Sequence, residues 1–378
     1  MLLAGLLALA LVVTQAQAQT PSASAPAGGA TPAATLPASA APSQAAAAST
    51  WLRMPRLQGR ITAAELGLVI NTADPYSVAV GEYYARRRGI LEAHVLRLQL
   101  PVRASLTLDE FEALQAQIKS KLAPEVQGLA LAWTQPFAVV CNSITGALAL
   151  GYQAELCSNG CAPSKPSPYF SYQGAKPFGD LGLRPSMLLA ARTVESAQAL
   201  IERGIAADQS LPGFLPANAY FVNTADAARN VRSTLFPPAS SLRGLGVEVH
   251  TPVHKELPPL RRTLIYQTGL AVVPGLEQVD WLPGALADHL TSFGGQLERR
   301  PDSGQMSALD WLEAGATASY GSVSEPCNHR QKFPHPQVLL LSYVQGLSAL
   351  EAYWHSVLWP GQGVFIGEPL AAPFAPKF

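Results

Sequence analysis

The chain has no excess charge of either sign, because 26 Lys and Arg balance 26 Asp and Glu. A polyanion partner demands a basic face with many phosphate contacts, so no nucleic-acid partner is expected. The one dense basic cluster, Arg86-Arg87-Arg88, falls at the end of an expected helix, where cations favourably meet the helix dipole. Long apolar runs are also missing: the segment Leu2 to Val13 is shorter than the roughly 20 residues a spanning helix needs. No Lys or Arg precedes Arg53, so the basic start of an export signal is lacking, and no Cys follows the apolar segment to accept a lipid. The histidines His94, His250, His254 and His355 show no mutual ligand spacing, so neither a metal nor a cofactor is expected.

What is present first is an export pattern. Leu2 to Val13 is followed by Ala16-Gln17-Ala18, a small-x-small site, which makes residues 1–18 a signal peptide and predicts a periplasmic or secreted protein with no anchor after cleavage. Residues 19–50 are almost entirely Ala, Pro, Ser, Thr, Gly and Gln, the composition of a disordered tether. Residues 51–378 then form the α/β domain. The four cysteines of an exported chain favour disulfides. Cys157 and Cys161, in the loop SNGCAPSKPSP, are expected to join one, with Cys141 a candidate partner. Cys327 is then left unpaired or bonded further away.

Strands and helices alternate along the domain. LGLVIN (66–71) reads as a buried strand, and the helix after it has Asp74 as cap, Pro75 in the first turn and Gly89 as terminator. HVLRLQL (94–100) has strand character, Thr107 and Glu110 form a capping box, and GLALAW (128–133) is a further buried strand. SMLLAAR, AYFVN, TLIYQTG, ALADHLTS, ATASYG and VFIG continue the series, with helices around 306–313 and 348–358. The pattern predicts an α/β fold with a mostly parallel sheet and helices on both faces. Pro212, Gly213 and Pro216 mark a boundary near 208–216 between two α/β lobes, the alternative being one continuous sheet.

In such folds ligands gather at the carboxyl ends of strands. The polar residues there include Asn71, Arg192, Gln267, His289, Asn328 and Glu368, which are the binding candidates. Asp288, His289 and Ser292 bring together an acid, an imidazole and a hydroxyl, the groups of nucleophilic acyl transfer. Strand alternation puts Asp288 and Ser292 on one side and His289 on the other, which opposes a triad. Cys327 is the second candidate nucleophile, flanked by Glu325, Asn328 and His329, because a neighbouring imidazolium lowers a thiol pKa. Ser292, Asp288, Cys327, His329 and Glu325 are therefore the catalytic candidates. KFPHP (332–336) reads as a rigid loop wall, proline fixing its backbone.

The segments NTADPYSVAVGEYYARRRGI, LTSFGG, YGSVSEPCN, KFPHP and IGEPLAAPF together resemble a family of uncharacterised exported bacterial proteins that accompany exosortase protein-sorting systems. Asp is usual in that family where Glu368 stands, and Pro where Leu91 stands. More distantly, the same segments resemble the caspase and gingipain type of peptidase fold. That resemblance implies a His before Gly269, where Thr268 stands, and a Cys at Ser292 or Phe293. Both residue types are absent. Two readings follow: a noncatalytic binding or assembly factor for an envelope protein, peptide or polysaccharide, and a peptidase-like or acyl-transfer hydrolase using Cys327 or Ser292.

Overall fold

The structure, a computed structural model, describes residues 50–298 and 304–376. The expected signal segment, and all but the last residue of the expected tether, lie outside the described residues.

The first part of the chain contains β1 (Leu66–Asn71), α1 (Pro75–Arg88), β2 (Val95–Leu98), β3 (Ser105–Leu106), α2 (Leu108–Lys121), β4 (Gly128–Leu131), β5 (Ala138–Val139), β6 (Asn142–Ser143), α3 (Ile144–Leu150), α4 (Glu155–Ser158), α5 (Pro177–Leu181), β7 (Ser186–Leu188) and α6 (Val194–Ala207). The second part contains β8 (Ala217–Phe221), β9 (Ser240–Leu242), β10 (Val247–His250), β11 (Thr263–Thr268), β12 (Trp281–His289), α7 (Ala308–Ala314), β13 (Ala318–Ser322), α8 (Pro336–Val344), α9 (Ala349–Ser356) and β14 (Gly363–Gly367).

The helix ends follow the expected chemistry. Asp74 accepts a hydrogen bond from the Tyr76 N–H, Pro75 occupies the first turn, and Gly89 closes α1 at φ 63° in the left-handed region. Thr107 and Glu110 make both bonds of the capping box at the start of α2. Such a cap contributes about 1 kcal/mol. The basic end of α1 does more than face a dipole: Arg87 pairs with Glu202, while Arg88 is buried between Glu368 and Asp208.

Eleven strands form one sheet in the order β2-β1-β4-β7-β14-β13-β12-β11-β8-β10-β9, and β3, β5 and β6 form a separate small one. All pairs of the large sheet are parallel except β13 with β14 and β9 with β10. The sheet is continuous across the turn at 208–216. β1 is buried at every position, as a strand covered on both faces must be. Leu68 and Ile70 pack with residues of α1, α6, α8 and α9, whereas Val69 packs with residues of α2, α3 and α7. Helices therefore cover both faces.

The carboxyl ends of the two halves meet along one edge of the sheet. Gln135, after β4, donates to Glu298, after β12, at 2.7 Å, and the Ser324 hydroxyl, after β13, donates to the Cys141 carbonyl at 2.6 Å. The end of β14 lies elsewhere, because Glu368 meets Arg88 at the end of α1, the helix that runs back from the carboxyl end of β1.

Candidate functional site

The loops after β12 and β13 are fastened to each other through backbone. The Gly295 N–H donates to the Ser322 carbonyl at 2.9 Å. A Cβ on Gly321 would lie 2.3 Å from the Gly294 carbonyl carbon, and one on Gly295 would lie 2.3 Å from the Gly321 carbonyl oxygen. Only glycine permits that approach. The hydroxyl of Ser322 donates to the Ser292 carbonyl at 3.0 Å, completing the seam. LTSFGG and YGSVSEPCN are therefore two halves of one structure.

A cleft of about 280 Å³ opens beside this seam, lined by Arg229, Thr291, Ser292, Glu325, Cys327 and Asn328 among others. Arg229 donates to Asp226 at 2.8 Å and to the Thr291 hydroxyl at 3.2 Å. On the other wall, Glu325 accepts the Cys327 N–H at 2.8 Å and remains exposed. Cys327 sits at φ 53° and is bonded to Cys161, while Cys141 is bonded to Cys157. Lys332 supports the wall from beneath: its buried ammonium donates to the Gly160 carbonyl at 2.6 Å and to Gln362 Oε1 at 2.7 Å. Burial pulls this amine down to about 8, with Glu325 acting in the opposite direction. Gln362 in turn donates to the Ser324 hydroxyl at 3.0 Å and to the Glu325 carbonyl at 2.7 Å.

Of the catalytic candidates, Ser292, Glu325 and Cys327 line this cleft. His329 does not line it and packs its ring edge-on to Trp359 at 6.1 Å. The expected role of Cys327 is corrected by its disulfide, which leaves no thiolate to attack a substrate. Asp288 is corrected to a buried ion pair: its carboxylate meets Arg232 at 2.6 Å and accepts from Gln267 Nε2 at 2.7 Å. His289 is fully committed elsewhere. Its Nδ1 accepts from Trp311 Nε1 at 2.9 Å, leaving Nε2 to donate to the Met306 carbonyl at 3.1 Å. Burial holds this imidazole down at about 3, so it cannot serve as a base for Ser292 near neutrality.

Several binding candidates are structural or line a different cleft. Asn71 donates to and accepts from the backbone of Leu100, a buried clasp between strand ends. Gln267 is buried behind Asp288. Glu368 is fully buried, bridging Arg88 and the Tyr84 hydroxyl. Arg192 lines a second cleft of about 330 Å³ at the carboxyl ends of β4 and β7, where it pairs with Asp310. Asn328 alone of this group reaches the first cleft. Sequence reasoning passed over Arg229, Lys332 and Gln362; nothing local marks them, because their partners are 30 to 172 residues away or belong to an ordinary helix start.

No family model and no curated sequence matches the chain. Among solved structures it is similar to gingipain R, an Arg-specific cysteine proteinase, at 9% identity and a TM-score of 0.41, covering 82% of this chain and 78% of that one. It is also similar to the complex of the pro- and mature domains of that proteinase from Porphyromonas gingivalis, at 10% identity and a TM-score of 0.39, covering 83% of this chain and 80% of the other. In the present chain Thr268 ends β11 with its hydroxyl turned to the Val222 carbonyl at 3.2 Å, and Ser292 follows the neighbouring β12.

Because Glu325 is exposed, Glu325→Ala should change the unfolding free energy by less than about 0.5 kcal/mol. Urea denaturation of the variant measures this. A loss above 2 kcal/mol would mean that the carboxylate holds the loop rather than facing a ligand.

Proposed function

We propose that the chain is a noncatalytic binding or assembly factor of the bacterial envelope that holds a peptide or polysaccharide in the cleft beside β12 and β13. The observation that carries this reading is the Cys161–Cys327 bond, which converts the candidate nucleophile into a strut of the cleft wall. It is supported by the two structural hydrogen bonds of His289 and by the contact of His329 with Trp359, which leave Ser292 without an imidazole in hydrogen-bond reach among the described residues. Two disulfides fit an oxidising compartment, and no helix among the described residues is long and apolar enough to cross a membrane. The link to exosortase sorting or exopolysaccharide rests on the set of sequence signatures given above.

Two measurements test the reading. Purified protein, oxidised or treated with dithiothreitol, is expected to release no fluorescence from labelled casein. Hydrolysis that disappears in Ser292→Ala or Cys327→Ser would overturn it in favour of a hydrolase. In a deletion strain, Glu325→Ala is expected to be present and folded yet not to restore the phenotype. Full complementation would remove the cleft from the function.

A further inference from the structure

A further pocket, of about 200 Å³, is lined in part by the next stretches of two segments that line the cleft. The cleft lies between Arg229 and the loop at 325–328, and the pocket lies between Leu235 and the next stretch of the same loop, Arg330 to His335. Between them Arg330 Nη1 donates to the Thr234 hydroxyl at 2.6 Å. Phe170, Leu235, Phe333 and Leu358 make the pocket largely apolar, and its volume exceeds the roughly 150 Å³ of an apolar cavity that admits benzene. That is room for one large apolar side chain.

Arg330 gives the pocket its polarity. It is exposed at the rim, and among the described residues it has a hydroxyl for a partner and no carboxylate. A guanidinium can bind a carboxylate through two parallel hydrogen bonds, which a hydroxyl cannot offer. Arg232, the other nearby guanidinium, is taken by Asp288 and by the carbonyls of Pro334 and Thr268. His335 uses Nδ1 to accept the Val338 N–H at the start of α8. The pocket therefore combines apolar walls with one available cation within a single turn of chain. A ligand must present its apolar group and its anion equally close together. The last residue of a polypeptide does so, because its side chain and α-carboxylate share one Cα.

We propose that this pocket binds the C-terminal residue of a partner peptide, with a Phe or Leu side chain between Phe170, Leu235, Phe333 and Leu358 and the terminal carboxylate on Arg330. The assignment rests on the reading of the chain as a binding factor and names its partner as a peptide. The remainder of that peptide would run along the wall from Thr234 toward Arg229 and the polar cleft. Six residues of 3-10 helix there span about 12 Å, the length of three to four extended peptide residues.

The test is fluorescence anisotropy of the purified protein with the labelled peptide Gly-Ser-Gly-Ser-Phe as free acid. Its C-terminal amide and the peptide ending in Ala are each expected to bind at least tenfold more weakly. Arg330→Gln should remove the preference for acid over amide while leaving the thermal midpoint unchanged, since the side chain is exposed. Glu112→Gln, at an exposed position of α2, should retain the binding. Equal affinity for acid and amide, or an unaltered preference in Arg330→Gln, would overturn the proposal and leave the cleft reading untouched. Displacement by 3-phenylpropionate at the concentration at which the unlabelled peptide displaces would also overturn it.

Discussion

Replacing Asp288 by alanine is expected to lower the unfolding free energy by about 3 to 5 kcal/mol, the usual cost of breaking a buried ion pair from one side. The carboxylate is fully buried at the end of β12 and Arg232 is 1% exposed, so neither charge can turn to water. One carboxylate oxygen takes the guanidinium and the other takes Gln267. Without the anion, Arg232 keeps only the Pro334 and Thr268 carbonyls, and a guanidinium cannot escape by losing a proton. The converse variant should be milder. Burial already raises the Asp288 carboxyl above its ordinary value despite the guanidinium beside it, so in Arg232→Met this group can take up a proton. The double variant Arg232→Met/Asp288→Leu should lose less stability than Asp288→Ala, because no unpaired charge remains. Urea unfolding at pH 7 measures all three. A loss below 1 kcal/mol in Asp288→Ala would show that water reaches the pair.

Acidification should destabilise the fold steeply. His289 is held at about 3, and His335 and His355 at about 4, in each case chiefly by burial. These values lie below the roughly 6.5 of an unfolded histidine, so below that pH the unfolded chain takes up protons that the native state refuses. The stability from each neutral imidazole is complete above pH 6.5 and is lost as pH falls toward 4. At pH 5 each histidine accounts for a loss of about 2 kcal/mol. Glu351 acts in the opposite sense. Burial raises it to about 7, against the Ser348 and Ile61 hydrogen bonds, so its protonated form favours the native state as pH falls and restores about 2 kcal/mol over the same range. The net loss between pH 7 and pH 5 is about 3 to 4 kcal/mol, a large part of the 5 to 15 kcal/mol that typically holds a domain together. Urea midpoints at the two pH values measure it, and His355→Phe should remove about a third of the histidine effect. Equal stability at pH 5 and 7 would mean that these rings are hydrated in solution.

Much of the local structure is legible in the sequence because its causes are local. Asp74, Pro75 and Gly89 bound α1, and Thr107 with Glu110 starts α2, through bonds to backbone a few residues away. The apolar runs of β1 and β4 are buried at every position, as strands covered on both faces are. Element ends shift where neighbours decide them: the strand expected at Ala285–Ser292 is Trp281–His289, paired with β11 at Trp281 and, past a bulge, from Leu286 to His289. KFPHP is a wall as expected, but it also starts α8, with Pro336 in the first turn and His335 as its cap.

The candidate site shows the same division. The sequence determined that polar chemistry gathers after Gly321, that the cysteines favour disulfides, and that the strands alternate with helices into a mostly parallel sheet. Only the tertiary structure decided that β14 runs against β13, and that Glu368 at its end is buried against Arg88 rather than placed with Ser292, Glu325 and Asn328. It also decided that Cys327 bonds to Cys161, that His289 belongs to Trp311 and Met306, and that Asp288 belongs to Arg232. The physical reason is range. Caps and strand patterns arise from bonds and burial within a few residues, whereas the pairing of Cys161 with Cys327 crosses 166 positions and exists only once the sheet has brought those loops together.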